Sequence, residues 1–450
     1  MTPAARVNAV IEILERIKDS HVPMDRVIGD YMRHRRYVGS KDRKDIVERC
    51  YNIMRAYARI LWWIAEVDAQ PHSRRIILTW LVLGEGQSVD DIVQLFNGGQ
   101  FSADELTEAE KSYMDYLNRH KEAAGMTHSK MPEHVQVECP EEYAQRLSTF
   151  YGDDFAPEML AMLEPATLDL RVNTRLKSVE QVVEYLAKDD VETDPCEYSP
   201  WGLRARSKAF LSKTKAFNKG WVEIQDEGSQ LIAYLCDAKP GNQVLDYCAG
   251  GGGKSLGLAT LMQNKGRLVV SDIDERRLAK AKPRFRKAFV LDNIEIRPMS
   301  DERHRKWFRR QKGTFDVVLI DVPCSGTGTW RRNPDLRWFS YGPSLEEVKQ
   351  VQAEILDKVA KSVKPGGRLV YATCSILAEE NEDQINSFLA RHDDYELLPL
   401  AKAWPEGKPP CDGDYMRLTP RQHKTDGFFS AVLVRKASAV SEGSEDEEAA

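Results

Sequence analysis

Two cysteines fifty residues apart stand in Asp321-Val-Pro-Cys324-Ser and Ala-Thr-Cys374-Ser. Each follows an apolar run, Phe315-Asp-Val-Val-Leu-Ile-Asp321 in one case and Gly367-Arg-Leu-Val-Tyr-Ala-Thr373 in the other. Such runs read as buried parallel strands, and an open α/β sheet binds its ligands beyond the carboxyl ends of its strands. The spacing therefore predicts both thiols in one cleft, with Asp321 beside the first. A thiolate placed there can add to C6 of a pyrimidine, which makes C5 nucleophilic enough to take a methyl group. A base then removes the C5 proton and the thiolate leaves. Asp321 suits the N3/N4 edge of cytosine, and acting there as a proton donor requires burial to raise its pKa. The residues alone leave either cysteine as the nucleophile.

The methyl donor needs its own site. Asp246-Tyr-Cys248-Ala249-Gly250-Gly251-Gly252-Gly253-Lys254-Ser joins a strand, Gln243–Tyr247, to a helix expected to begin near Leu256. Glycines at such a turn let the backbone approach a ligand closely. A P-loop requires glycine where Cys248 stands, and a dinucleotide turn requires glycine where Ser255 stands. An acid shortly before a Gly-x-Gly turn suits S-adenosylmethionine, with a P-loop-like NTPase as the rival reading. Asp272, ending the next strand, is placed for the ribose hydroxyls, and Asp301, past the third strand, for the adenine.

Around these residues, strands at 243–247, 267–271, 294–298, 316–320, 368–372 and 428–434 alternate with helical stretches, which predicts a parallel Rossmann-like α/β sheet over 221–437. Residues 1–122 show helical periodicity only: Val7, Val10, Ile11, Leu14 and Ile17, then Ile46, Cys50, Ile53 and Tyr57. Ser102 with Glu105, and Thr107 with Glu110, are expected capping boxes. Residues 123–165 read as a linker with short helices, and 166–220 as a small β-α-β piece.

At 450 residues, with 42% hydrophobic and 30% charged, the chain reads as a multidomain protein without a signal peptide or membrane span. Its eight cysteines include no CxxC pair, which argues against a metal site and for a reducing cytoplasm. A net charge of −6 conceals fourteen Lys/Arg against four Asp/Glu between Arg276 and Lys312. Local potential, not the total, governs nucleic-acid affinity, so RNA remains a fitting partner. The stretch 438–450 is an acidic tail expected to be disordered.

Taken in order, Gln225-Asp-Glu-Gly-Ser229, Asp246–Lys254, Asp321–Gly328, Arg332-Asn-Pro-Asp-Leu-Arg-Trp338, Tyr371–Ser375, Glu379-Glu-Asn381 and Asp426-Gly-Phe-Phe429 resemble the motifs of the RNA cytosine-5 methyltransferases. The likeness is strongest to the branch acting on small-subunit ribosomal RNA. It implies a helical NusB-like RNA-binding domain, a ferredoxin-like α+β subdomain and a methyltransferase domain, in a cytoplasmic monomer. It also implies that Cys374 attacks C6, that Cys324 assists product release, and that Asp321 recognises and activates the cytosine. Cys248 to Lys254, Asp272, Asp301 and Asp321 would line the S-adenosylmethionine site, with Lys254 also facing the base. A transfer RNA substrate, or an RNA-binding assembly factor without catalysis, are the other readings. One departure stands out: the family loop reads Cys-Ala-Ala-Pro-Gly-Gly-Lys, whereas glycines fill 250 to 253 here. That loop is expected to bind the cofactor more weakly.

Overall fold

The structure is a computed structural model describing residues 1–437; the expected acidic tail at 438–450 lies outside them. Two compact units result, one of Met1–Ala166 with Thr329–Ser344, the other of Thr167–Gly328 with the chain from Leu345 onward.

The first unit is helical. Val10, Ile13 and Ile17 of helix Pro3–Lys18 and Ile46, Cys50 and Ile53 of helix Ser40–Met54 are wholly buried, as helical periodicity requires. Thr107 and Glu110 form the expected capping box of helix Glu108–His120. Ser102 does not: its hydroxyl turns back to the Leu95 carbonyl, 3.0 Å away, while Ala103 and Leu106 drop into the core, and no helix starts there.

The stretch read as a linker is tied down. Met126 and Met131 join the helical core, and the Trp63 indole donates to the Met126 carbonyl at 2.8 Å. Glu138, wholly buried, accepts from the Ala58 and Arg59 backbone N–H groups and from the Arg59 guanidinium. Residues 329–344, assigned above to the catalytic domain, belong to this unit too. Trp338 donates to the Met54 carbonyl and Asp335 accepts from Met24 N–H, partners that no local periodicity announces.

The second unit holds two sheets. In the smaller, β1 (Asp169–Val172), β2 (Thr193–Pro195), β3 (Gly202–Ala205) and β4 (Val222–Ile224) pair antiparallel in the order β2-β3-β1-β4. Helix Val179–Ala187 follows β1, and one helical turn, Lys215–Asn218, precedes β4: a ferredoxin-like arrangement. An expected boundary at 220/221 cuts off β4, which is too short to show a period of its own yet pairs Leu170 with Ile224.

The larger sheet contains β5 (Gln243–Asp246), β6 (Arg267–Asp272), β7 (Ile294–Pro298), β8 (Phe315–Asp321), β9 (Val363–Thr373), β10 (Tyr395–Leu398), β11 (Met416–Leu418) and β12 (Phe428–Arg435). Its order is β10-β12-β9-β8-β5-β6-β7, with β11 on β12. Strands β5 to β9 are parallel, as the buried apolar runs of β5, β6, β8 and β9 imply; β7, Ile-Glu-Ile-Arg-Pro, is only partly buried. The closing strand β12 runs antiparallel to β9, and β10 and β11, which had no sequence signal, pair antiparallel with it. The order reverses between β5 and β8, so the ligand crevice of this Rossmann-like sheet opens beyond their carboxyl ends. Among the described residues no helix is long and apolar enough to cross a membrane.

Candidate active site

Strands β8 and β9 are hydrogen-bonded neighbours with Asp321 opposite Ala372, so the loops leaving them emerge side by side. The two sulfurs meet there: Cys324 Sγ lies 3.3 Å from Cys374 Sγ. A polar hub fixes both loops. The wholly buried Glu380 carboxylate accepts from Ser325 N–H at 2.8 Å, Ser325 hydroxyl at 2.5 Å and Gln352 amide at 3.0 Å, and also from the Ser375 hydroxyl. Asn381 accepts from the Thr373 hydroxyl at 2.6 Å and donates to the Ser375 carbonyl at 3.0 Å. Gly328 N–H donates to the Cys374 carbonyl, and a Cβ on Gly328 would sit 2.2 Å from the Gly427 oxygen, which explains glycine at both positions.

Glu380 and Asn381 carried no role in the sequence reading. The Glu379-Glu-Asn381 motif looks like surface charge until the fold buries Glu380 and Asn381. Glu380→Ala leaves buried donors without an acceptor and is expected to cost about 3 kcal/mol of stability. Glu380→Gln is expected to retain most of that stability and still lower turnover, because an amide cannot accept from every donor at once. Chemical denaturation beside turnover checks both; an alanine variant as stable as wild type would contradict the hub.

The hydrogen bond with Cys374, burial, and the charges of Cys374 and Glu380 push the Cys324 thiol well up. Lys254 Nζ lies 2.6 Å from Asp321 Oδ2, with the lysine side chain 11% exposed and the aspartate 31%. Burial pulls the Lys254 ammonium down, but Asp321, Cys374 and Asp246 outweigh it and hold it above its ordinary value. Asp321 is therefore not the lone buried acid that a proton donor at N3 required. It is one half of an ion pair.

The Gly-rich loop closes against the same charges. Asp246 is wholly buried at the end of β5, accepts from Ser255 Oγ at 2.6 Å, and is pushed up to about 7 by burial. Burial and the charges of Asp272, Asp246 and Asp321 push the Cys248 thiol well up, which leaves it a neutral wall of the site. Ala249 N–H bonds the Ser271 carbonyl, and Gly250 N–H donates to Asp272 Oδ2 at 2.7 Å. Gly250 (φ +53°) and Gly252 (φ +76°) are left-handed. A Cβ at Gly250 would also meet Arg277 at 2.7 Å, so the family's alanine there would be strained here.

Gly252 caps helix Gly253–Leu261, which begins three residues before the expected start. Gly253 and Lys254 thus form its first turn, and Lys254 points to Asp321. Asp301 caps helix Glu302–Arg309 and pairs with Arg303 at 2.7 Å, so its carboxylate is engaged within its own helix start. The Asp272 carbonyl accepts from Met299 N–H, which keeps the ends of β6 and β7 together. A left-handed glycine turn, a helix start and a buried acid at the crevice fit an S-adenosyl nucleoside with a cationic amino-acid end.

Arg284 Nη1 donates to the Gly251 carbonyl while its other nitrogen pairs with Glu223 of β4 at 3.3 Å. Loop order here rests on that arginine instead of a proline. Gly251→Pro is expected to tighten cofactor binding about two- to fivefold by reducing the freedom of the unliganded loop. Titration calorimetry checks this, and equal affinity would end the idea.

The sequence model of the family described as 16S rRNA methyltransferase RsmB/F matches residues 233–434, and that of the RsmF/B-like ferredoxin-like domain matches residues 139–209. The chain is similar to ribosomal RNA small subunit methyltransferase B of Yersinia enterocolitica, 27% identical over 423 residues that span 89% of this chain and 92% of the relative. The Photorhabdus laumondii protein of that description is 33% identical over 298 residues, 66% of either chain. The solved structure of PH0851 is 26% identical with a TM-score of 0.74, covering 97% of this chain and 99% of its own. A methyltransferase homolog from Pyrococcus horikoshii is 28% identical with a TM-score of 0.56, covering 68% of this chain and 97% of its own.

Proposed function

Because the chain belongs to the RsmB/F family of 16S rRNA methyltransferases, we propose that it methylates C5 of a cytosine in ribosomal RNA through a bond between Cys374 and C6 of the base. S-adenosylmethionine is the methyl donor, and its sulfonium supplies an electrophilic methyl group. One observation carries the finer reading: two thiols 3.3 Å apart at neighbouring strand ends, beside the Lys254–Asp321 pair.

In this reading Asp321 accepts from the exocyclic amine of the cytosine. The Lys254 ammonium, 2.6 Å from Asp321, supplies the proton and positive charge at N3, where thiolate addition builds negative charge. Cys374 forms the S–C6 bond, and the displaced electron pair makes C5 the nucleophile. Its sulfur, once bonded to carbon, carries no charge. The hydrogen bond to Cys374 and the Cys374 charge that hold the proton on Cys324 are then gone. With C5 methylated, Cys324 can lose its proton to solvent and as a thiolate take the C5 proton; the C5–H electrons form the C5=C6 bond, the C6–S electrons return to Cys374, and N3 gives its proton back to Lys254. The base must be unstacked to reach this crevice, which favours a single-stranded or loop cytosine.

The test is tritium release from RNA labelled at C5 of cytosine. Methyl transfer to C5 expels one tritium for each methyl group gained, and transfer to a ring nitrogen or to ribose expels none. Methylation without tritium release would sink the C5 assignment. Small-subunit ribosomal RNA and transfer RNA offered side by side decide the substrate, with faster turnover on the ribosomal RNA expected.

A further inference from the structure

The small sheet carries cations that have no carboxylate to meet. Tyr185, on helix Val179–Ala187, and Trp221, just before β4, are half-buried rings with centroids 4.7 Å apart. Lys177 Nζ lies 5.9 Å from the first centroid and 5.4 Å from the second, Lys215 Nζ lies 5.1 and 5.8 Å from them, and Lys188 Nζ lies 5.3 Å from Tyr185. Lys213 stands 5.7 Å from the ring of Phe210, which is 80% exposed. Residues 206–219 contain five Lys/Arg and no acid.

Lysines 177, 188, 213 and 215 form no side-chain ion pair among the described residues. Other basic side chains of this subdomain do, as Arg206 with Asp194 at 2.6 Å and Arg204 with Asp169 at 2.8 Å. The nearby Asp189 carboxylate accepts from the Lys215 backbone N–H, not from its ammonium. Helix Ala281–Lys287 extends the track: Lys287 Nζ lies 3.7 Å from the Phe217 ring, and Arg284, one turn earlier, holds the Gly251 carbonyl of the cofactor loop.

We propose that this face binds a single-stranded RNA segment flanking the methylated base. Phosphates take Lys177, Lys188, Lys213 and Lys215, and bases stack on Tyr185, Trp221 and Phe210. The proposal rests on the RNA methyltransferase reading and locates where its substrate is gripped. One exposed and two half-buried rings interleaved with cations free of ion pairs suit single-stranded nucleic acid: the π-faces accept any base and the ammonium groups replace counterions along the backbone. Tyr185 and Trp221 also contact each other and Trp221 packs on the subdomain core, so a base would displace the lysine heads rather than that packing, and an exposed cation–π contact is weaker than a stacked base. An acidic protein partner would need the charge but not the rings.

The experiment compares wild type with Lys177→Gln/Lys188→Gln/Lys215→Gln and with Phe210→Ala/Tyr185→Leu. Affinity for single-stranded ribosomal RNA fragments is measured across a salt series, alongside S-adenosylmethionine binding and methyl transfer. The glutamine variant is expected to bind RNA about tenfold more weakly at low salt and to lose about 2 from the log–log salt slope, since each single-strand phosphate contact contributes roughly 0.7. Its S-adenosylmethionine affinity and its rate at saturating RNA stay at wild-type values. The ring variant is expected to weaken RNA binding severalfold with the slope unchanged, and Lys→Arg at the same three positions to restore binding.

Glutamine and ring variants that keep wild-type RNA affinity and slope, in a protein that methylates RNA, overturn the surface and leave the reaction standing. Weakening by the glutamines alone, equal on duplex and single strands, overturns the stacking role and points to a generic polyanion face. Wild type that binds RNA with the expected slope but transfers no methyl group overturns the reaction and leaves the surface standing.

Discussion

Cys374→Ala is expected to abolish methyl transfer, by on the order of 10^4-fold or more, because in the proposed mechanism it removes the sulfur whose bond to C6 activates C5. Cys324→Ala is expected to fail differently. It still forms the Cys374–C6 bond and transfers the methyl group, but lacks the base that ends the reaction, so a covalent protein–RNA adduct accumulates. Denaturing gels of each variant with RNA and S-adenosylmethionine separate the two: a shifted band for Cys324→Ala and none for Cys374→Ala. The opposite pattern reverses the assignment, and no band with either variant removes the covalent mechanism. The two sulfurs lie 3.3 Å apart, and the contact with Cys374, burial and Glu380 favour the protonated form of Cys324. In the proposed mechanism, removing Cys324 leaves the nucleophile in place, and removing Cys374 leaves a base with nothing to release.

Asp321→Asn is expected to lower kcat by about 10^2- to 10^3-fold, the usual cost of losing a charge placed against the transition state. It also exposes the latent cost of Lys254. That ammonium is 11% exposed, and burial opposes its charge; Asp321 is the leading group holding it above its ordinary value. Losing the partner strands a cation, for about 2 kcal/mol of stability, less than for a fully buried pair because Asp321 is 31% exposed.

The pH dependence carries a sign. In wild type the folded value of Lys254 is raised, so its contribution is present below the unfolded lysine value and is lost only as pH rises through the folded one. In Asp321→Asn burial prevails, the folded value drops below the unfolded one, and the variant loses stability as pH falls through it. Thermal unfolding from neutral to alkaline pH shows this as a gap between the proteins that closes with rising pH. Asp321→Asn/Lys254→Met should recover stability but not turnover. A pH-independent gap would mean that the ion pair does not govern Lys254.

Much of the chemistry could be read before any fold was known, because motif residues sit at strand ends that apolar runs mark out. Asp321, Cys324 and Cys374 were placed by β8 and β9, and the Gly-rich loop by β5. The helical half showed itself through the 3.6-residue recurrence of Val7, Val10, Leu14 and Ile17. What escaped was short or non-local. Strand β4 has three residues and no period; β10 and β11 lie at the antiparallel end of the sheet, where the alternation of strand and helix no longer applies. Met126 and Met131 hid in a polar stretch, and Trp338 gave no sign that its indole would reach the Met54 carbonyl, 284 residues away in sequence.

The sequence by itself determined which reagents this protein has and the order in which they occur: a glycine turn behind Asp246, acids at the next strand ends, and a thiol after each of two buried strands. The similarity of those motifs to a known family supplied the expected division of labour between the thiols. Only the tertiary structure decided who meets whom. It set the two sulfurs 3.3 Å apart, turned Asp321 from a lone acid into the partner of Lys254, made Glu380 the hub of both cysteine loops, and gave Gly250 a conformation that alanine would strain. The reason is geometric. Periodicity and turn chemistry act over a few residues, whereas each of these pairings depends on the order of strands in the sheet, which joins Lys254 to Asp321 across 67 positions and Ser325 to Glu380 across 55.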